Sequence, residues 1–229
     1  MLGIMGNSAI MAQTSGRGGN RSHIITFVSS SDDPFIKSLS CNGTITIESV
    51  KDGNPISVTY SKLNNAEVEI QADADTTIVI KGAVAKCYFT AWDEEAEDYN
   101  GFTDLSALDI SKCACLQEVS VYYNAALDSI DVSHNKHLKV LICGGIENLT
   151  SLDLAANTQL QYLDCNYCTG LTSLEYSAVA QQPSQSIANA ISDATAADGT
   201  VYTDSEGAYY SIIADAATAK GWTIEQITA

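Results

Sequence analysis

Seven leucines stand eleven residues apart: Leu105, Leu116, Leu127, Leu138, Leu149, Leu160 and Leu171. A fixed period constrains a chain more than any single motif, because each copy must repeat one local structure and pack on its neighbours. The segments they open read LSALDISKCAC, LQEVSVYYNAA, LDSIDVSHNKH, LKVLICGGIEN, LTSLDLAANTQ and LQYLDCNYCTG, followed by LTSLEYSAVA. Similarity is closer at twice the spacing, twenty-two residues. Positions 4 and 6 of each segment are mostly apolar, as in Leu152 with Leu154 and Val119 with Val121. That alternation is the mark of a short strand with one buried face. A strand this short cannot bury its face alone, so each must stack on the next.

Position 9 holds Cys113, Asn124, Asn135, Asn157 and Cys168, with Ile146 and Val179 as departures. A side chain there is expected inside a turn, bonding backbone groups that the bend leaves open. This L-x-x-L-x-L-x-x-N/C pattern resembles the leucine-rich-repeat family. It is most similar to short-repeat secreted and surface proteins of gut bacteria, which are mainly binding proteins. The resemblance implies a mainly β solenoid with two strands per 22-residue coil.

The rest of the chain is read around that expectation. Residues 1–12 (MLGIMGNSAIMA) resemble the tail of a secretory signal peptide, and residues 13–21 are a linker by composition. Alternating segments such as TITIESV and PISVTY, with the turn dipeptides Asn42-Gly43 and Asp52-Gly53, predict an antiparallel N-terminal β cap over 22–65. The solenoid is expected over 66–180, with degenerate coils over 66–104 and regular ones over 105–180. Residues 181–229 read as helix, strand, helix, strand, an α/β cap for the far end, with Gly221 stopping the second helix. The acidic stretch 93–101 (DEEAEDYNG) lacks the order of a known calcium loop and reads as a solvated insertion.

The formal net charge is −17 and the pI near 4.2. A nucleic-acid binder needs a basic footprint, and the same charge opposes docking on anionic lipid. No stretch is long enough to span a bilayer as a helix. Export places the chain outside the cell, at the surface or in the periplasm. The seven cysteines are an odd number. Cys165-x-x-Cys168 fits the repeat register as one core and one turn thiol, and no second spaced pair completes a four-ligand zinc site. No metal or cofactor is therefore expected. Neither His134 nor His137 is placed to form a nucleophilic triad.

Two outward faces differ. One carries Ser129, Ser151 and Ser173 beside a carboxylate column of Asp109, Asp131, Asp153 and Glu175. Like charges one strand apart should raise one another's pKa unless hydroxyls or a cation compensate. The other carries Glu118, Val140 and Tyr162 in one row and Ser120, Ile142 and Asp164 in the next, with Tyr122, Tyr123 and Tyr167 alongside. Exposed tyrosines and aliphatics together mark either an interaction surface or a face covered by a loop, the N-terminal cap or an oligomer neighbour. Tyr122, Val140, Ile142, Tyr162 and Tyr167 are expected to form one exposed patch, with Gly144 and Gly145 leaving a shallow gap for a ligand ring. The functional expectation is non-catalytic recognition of a protein or glycan at the cell surface. A structural module of a surface layer and a carboxylate-based hydrolase are the rivals.

Overall fold

Asp52 and Gly53 take positive φ values of 52° and 72°, and so close a two-residue hairpin turn between two eight-residue strands. Such turns match the right-handed twist of the strands they join. The hairpin belongs to a computed structural model that describes residues 23–93, 98–100, 104–177, 180–203 and 209–227. The signal-like segment and its linker lie outside the described residues, as do 94–97 and 101 of the acidic stretch.

In chain order the first six strands are β1 (Ile24–Ser29), β2 (Phe35–Ser40), β3 (Thr44–Lys51), β4 (Asn54–Ser61), β5 (Ala66–Glu69) and β6 (Thr77–Lys81). Next come β7 (Lys86–Tyr88), β8 (Ala91–Asp93), β9 (Asp98–Asn100), β10 (Leu105–Asp109), β11 (Glu118–Ser120) and β12 (Val140–Ile142). The chain continues with β13 (Ser151–Asp153), β14 (Tyr162–Asp164), β15 (Ser173–Tyr176), α1 (Gln181–Asp193), β16 (Thr200–Thr203), α2 (Tyr210–Lys220) and β17 (Thr223–Gln226). They form a five-stranded sheet β10-β1-β6-β3-β4, a six-stranded sheet β14-β12-β11-β7-β2-β5, a four-stranded sheet β13-β15-β16-β17, and the pair β8-β9.

The solenoid expectation is overturned by this topology. A solenoid would stack each coil's strand parallel on the next. Instead β6, read as a degenerate coil, lies antiparallel between β1 and β3, and β10, the first regular half-repeat, pairs antiparallel with β1. The half-repeat opened by Leu127 forms no strand. The six-stranded sheet is mixed, with β2 antiparallel to both β5 and β7. The physical reason lies in strand length. β1, β3, β4 and β6 have five to eight residues of alternating pattern and pair with one another, whereas β11 to β14 are only three residues long. Strand β2 (FIKSLS) was not foreseen, and with β5 and β7 it builds a second layer over the first.

The twenty-two-residue register survives locally as parallel pairing. Glu118 aligns with Val140 and Val140 with Tyr162 across β11, β12 and β14; Ser151 aligns with Ser173 across β13 and β15. The inward positions form one continuous core, from Ile25, Phe27 and Phe89 through Leu116, Leu141, Leu152 and Leu163 to Ile187 and Val201, all essentially inaccessible. Phe27 and Phe89 meet edge-to-face across the two N-terminal layers with centroids 4.9 Å apart, a favoured aromatic geometry.

Turn position 9 behaves as its chemistry requires. Asn135 Nδ2 donates to the Ile110 and Cys113 carbonyls at 3.1 and 2.9 Å. Asn157 Nδ2 does the same to Val132 and Asn135, both at 3.0 Å. Cys168 takes the role with its thiol, donating to the Cys143 carbonyl at 3.3 Å. Each turn is thereby tied to the turn twenty-two residues earlier.

The far edge of β14 is closed by α1. Gln182 accepts from Leu163 N–H with Oε1 at 2.8 Å and donates to the Leu163 carbonyl with Nε2 at 2.9 Å, as a neighbouring strand would. Ser186 Oγ takes the Cys165 N–H at 3.2 Å. Covering a strand edge in this way removes a template for aggregation. Helix α1 starts without a side-chain cap, with Ala180 at the N-cap. Gly221 ends α2 in the left-handed region at φ 86°.

Candidate exposed tyrosine edge

Tyr123, Tyr162 and Tyr167 are the exposed large hydrophobic residues among those described, at 45, 41 and 55 %. Their placement follows from the parallel register. Tyr162 begins β14 as the partner of Val140 in β12 and, through it, of Glu118 in β11. Beyond the strands the backbone ladder continues, with Tyr123 N–H on the Gly144 carbonyl at 2.9 Å and Gly145 N–H on the Asn166 carbonyl at 2.8 Å. Tyr123, Gly145 and Tyr167 therefore occupy equivalent places in three successive rungs. All three have positive φ, 57°, 71° and 61°. A left-handed backbone is free for glycine but costs other residues about 1–2 kcal/mol. Two tyrosines are held there with their side chains exposed.

Part of the expected patch is corrected. Tyr122 is 6 % exposed and Ile142 9 %, so both belong to the interior side of this edge. The gap expected at Gly144 and Gly145 is filled. A Cβ on Gly144 would stand 2.6 Å from the Tyr122 ring, and one on Gly145 2.1 Å from the Tyr123 ring. The glycines are there because the rings lie on them, with the two rings edge-to-face at 4.3 Å. The surface is a floor paved by Tyr122 rather than a cleft.

Polar groups flank the tyrosines. Asp164, 9 % exposed, accepts from Asn166 N–H at 3.2 Å and Nδ2 at 2.9 Å. Tyr167 N–H is held by Asp193 of α1 at 2.9 Å. At the opposite end Glu118 accepts from the Tyr88 hydroxyl at 3.0 Å and pairs with Lys86 at 3.6 Å, while the Lys86 ammonium sits 4.2 Å from the Tyr88 ring centroid. Val140, half-buried, lies between these ends. Lys86 and Tyr88 were missed in the sequence because β7 pairs with β11 at a separation of thirty-two residues, outside the repeat period.

The acidic column is held together only in part by strand pairing. Asp153 and Glu175 are register partners in β13 and β15, while Asp109 lies in β10 beside Asp131, which lies in no strand. Hydroxyls compensate at two positions. Ser111 Oγ and N–H hold Asp109 at 2.6 and 2.9 Å, and Ser133 does the same for Asp131, so both carboxyls fall below the ordinary range. Burial, with Asp153 beside it, lifts Glu175 instead.

Structure also places His134 Nδ1 3.0 Å from Ser133 Oγ, beside Asp131. The order is wrong for a nucleophile. In a working triad the acid orients the imidazole and the imidazole takes the serine proton. Here the serine proton goes to Asp131, as it does in the Asp109–Ser111 turn, which has no histidine. The contact is a turn motif.

All seven cysteines are free. Burial pushes the Cys87 and Cys165 thiols up, and a hydrogen bond to Cys168 together with burial does so for Cys143. No helix of the described residues is long and apolar enough to cross a membrane, which leaves β-barrel spans unaddressed. Comparisons with protein-family models, with curated proteins and with solved structures find no match to this chain.

Proposed function

We propose that the chain is a non-catalytic recognition module that binds a protein or glycan through the edge formed by Tyr123, Tyr162 and Tyr167. The single observation that carries this reading is the exposure of two tyrosines at left-handed backbone positions, in equivalent places on either side of a glycine rung. Strain held at a surface position needs a use that compensates for it. Tyrosine supplies rigid, amphipathic contact area at low entropic cost. Two rungs separate Tyr123 from Tyr167, about 9–10 Å at ordinary strand spacing. Aromatic faces at that separation, with the Asp164–Asn166 pair beside Tyr167, suit the apolar face and hydroxyl rim of a sugar as well as a protein loop. An exported location belongs to the proposal and rests on the signal-like segment. Relationship to leucine-rich-repeat proteins is likewise proposed, on the leucine period alone.

The test is a binding screen of the purified chain against arrayed glycans and surface proteins, run beside a variant carrying Tyr123→Ser, Tyr162→Ser and Tyr167→Ser. Hits that the variant loses, with its denaturation midpoint unchanged, support the reading. Hits that the variant keeps refute it. Concentration-dependent self-association through the same tyrosines, without any hit, favours a surface-assembly role instead.

A further inference from the structure

We infer that His23, Cys113 and Cys115 form a binding site for a thiophilic, tetrahedral divalent ion of the zinc class. The ligand atoms of the three side chains all lie within 4.8 Å of one another. Among the described residues no other group of three potential ligands comes so close. The two sulfurs are 3.8 Å apart. Two thiolates on one tetrahedral ion, each at about 2.3 Å, stand about 3.8 Å apart, and a thiolate and an imidazole nitrogen about 3.5 Å apart. The sulfur pair already stands at the spacing of a coordination sphere, and the imidazole, within 4.8 Å of both sulfurs, would close on the ion by a small side-chain adjustment.

The surroundings hold this geometry from three directions. Ile24 N–H donates to the Lys112 carbonyl at 3.4 Å, and Gly82 N–H to the His23 carbonyl at 2.8 Å, so the start of β1 is tied beside the turn that carries both cysteines. The third direction is the Val84 carbonyl, which lies 3.5 Å from Cys113 Sγ and 3.4 Å from Cys115 Sγ. Cys113 is buried, while His23 and Cys115 are half-exposed, so an ion would meet solvent on one side. Three protein ligands with an open fourth position is a recognised arrangement for zinc.

Folding alone does not require these residues. Cys113 fills the turn position that asparagine fills elsewhere in the repeat, but Cys115 stands where other copies carry Ala126, His137 or Gln159. His23 precedes β1 and contributes nothing to the core. The convergence of three ligands from chain segments ninety residues apart goes beyond what the repeat needs. Binding would displace the thiol protons to solvent and replace the weak bonds to the Val84 carbonyl. Neither tyrosine recognition nor the acidic column is involved.

The full chain, reduced and stripped with chelator, is to be titrated with Co²⁺ and then Zn²⁺, with far-ultraviolet circular dichroism confirming the fold. The expected result is one Co²⁺ per chain, with a thiolate-to-metal charge-transfer band and the intense visible bands of a tetrahedral centre, bleached by Zn²⁺. Cys115→Ser, with one thiolate left, should cut the charge-transfer band at least to about half. Loss of a hydrogen-bonded neighbour of a ligand already weakens metal affinity 10–100-fold, so losing the ligand itself in His23→Gln should weaken it by at least about tenfold. His137→Gln should change nothing. A folded, reduced wild-type chain with no charge-transfer band overturns the assignment. So does uptake that survives either ligand substitution at full affinity, or a protein whose Cys113–Cys115 pair is isolated as a disulfide and takes up no ion after reduction.

Discussion

Asn157 offers the sharpest test of how successive turns are joined. Its side chain is fully buried and its Nδ2 donates to two carbonyls, Val132 and Asn135, each at 3.0 Å. Both carbonyls also accept a backbone bond, from Asn135 N–H and Leu138 N–H respectively, at 2.9 Å. Asn157→Ala therefore removes two bonds without orphaning either acceptor. At about 0.5–1.5 kcal/mol net for each bond, the loss is about 1–3 kcal/mol, and the small cavity adds to it. Asn157 Oδ1 is buried without a hydrogen-bond partner among the described residues, so removing it relieves a desolvation cost and pulls the loss toward the lower end of that range. Asn157→Cys copies the residue found at Cys168 and keeps one weak donor, so it should cost about half as much. Asn157→Asp has no donor and would aim a buried charge at two carbonyl oxygens, so it should be the worst. The assay is urea denaturation under reducing conditions, read as midpoint at constant slope. The order Asn, Cys, Ala, Asp in falling stability is expected. An Asn157→Ala midpoint equal to wild type, or an aspartate better tolerated than alanine, would refute the hydrogen-bonded turn ladder.

Other expectations follow from the same structure. Leu152 and Leu163 are essentially inaccessible, so either changed to alanine should cost about 2–5 kcal/mol, whereas Ser151→Ala at an exposed position should leave the midpoint unmoved. In reduced, metal-free protein Cys115, the half-exposed thiol, should alkylate first, and the six buried ones should react only on unfolding; mass mapping after a timed pulse checks this. Asp131 owes its depressed pKa first to the Ser133 hydroxyl, so Ser133→Ala should raise it toward the ordinary carboxyl value in an NMR titration. A depressed carboxyl stabilises the fold above its unfolded value and ceases to do so as pH falls through its folded one, so the Ser133→Ala chain should lose less stability between those two points.

The leucine period made part of the structure legible. Leu152 and Leu163 are core, Ser151 is outside, and Glu118, Val140 and Tyr162 stand side by side, all because parallel pairing at a twenty-two-residue offset puts equal positions in register. Asn157 and Cys168 sit within turns for the reason their donors suggest. What the period could not reveal was pairing outside itself. Strand β6 satisfies the same apolar alternation whether it stacks parallel in a coil or antiparallel between β1 and β3, and local pattern carries no sign of direction. Tyr122 was misplaced because outward alternation fails where the chain leaves the strand and its ring folds over Gly144, and Ile142 because the whole row of Ser120, Ile142 and Asp164 is buried within the strands. His23 was invisible as a partner of Cys113 and Cys115, since ninety residues of unrelated sequence lie between them.

Hydrogen exchange, measured on the chain alone and with a partner captured in the binding screen, tests the central claim most directly. Bound partner should slow exchange across residues 118–123, 140–145 and 162–167, the three rungs that carry Tyr123, Tyr162 and Tyr167, and should leave residues 109–111, 131–133 and 151–155 unchanged. Protection confined to the acidic turns, with the tyrosine rungs exchanging as in the free protein, would contradict the account.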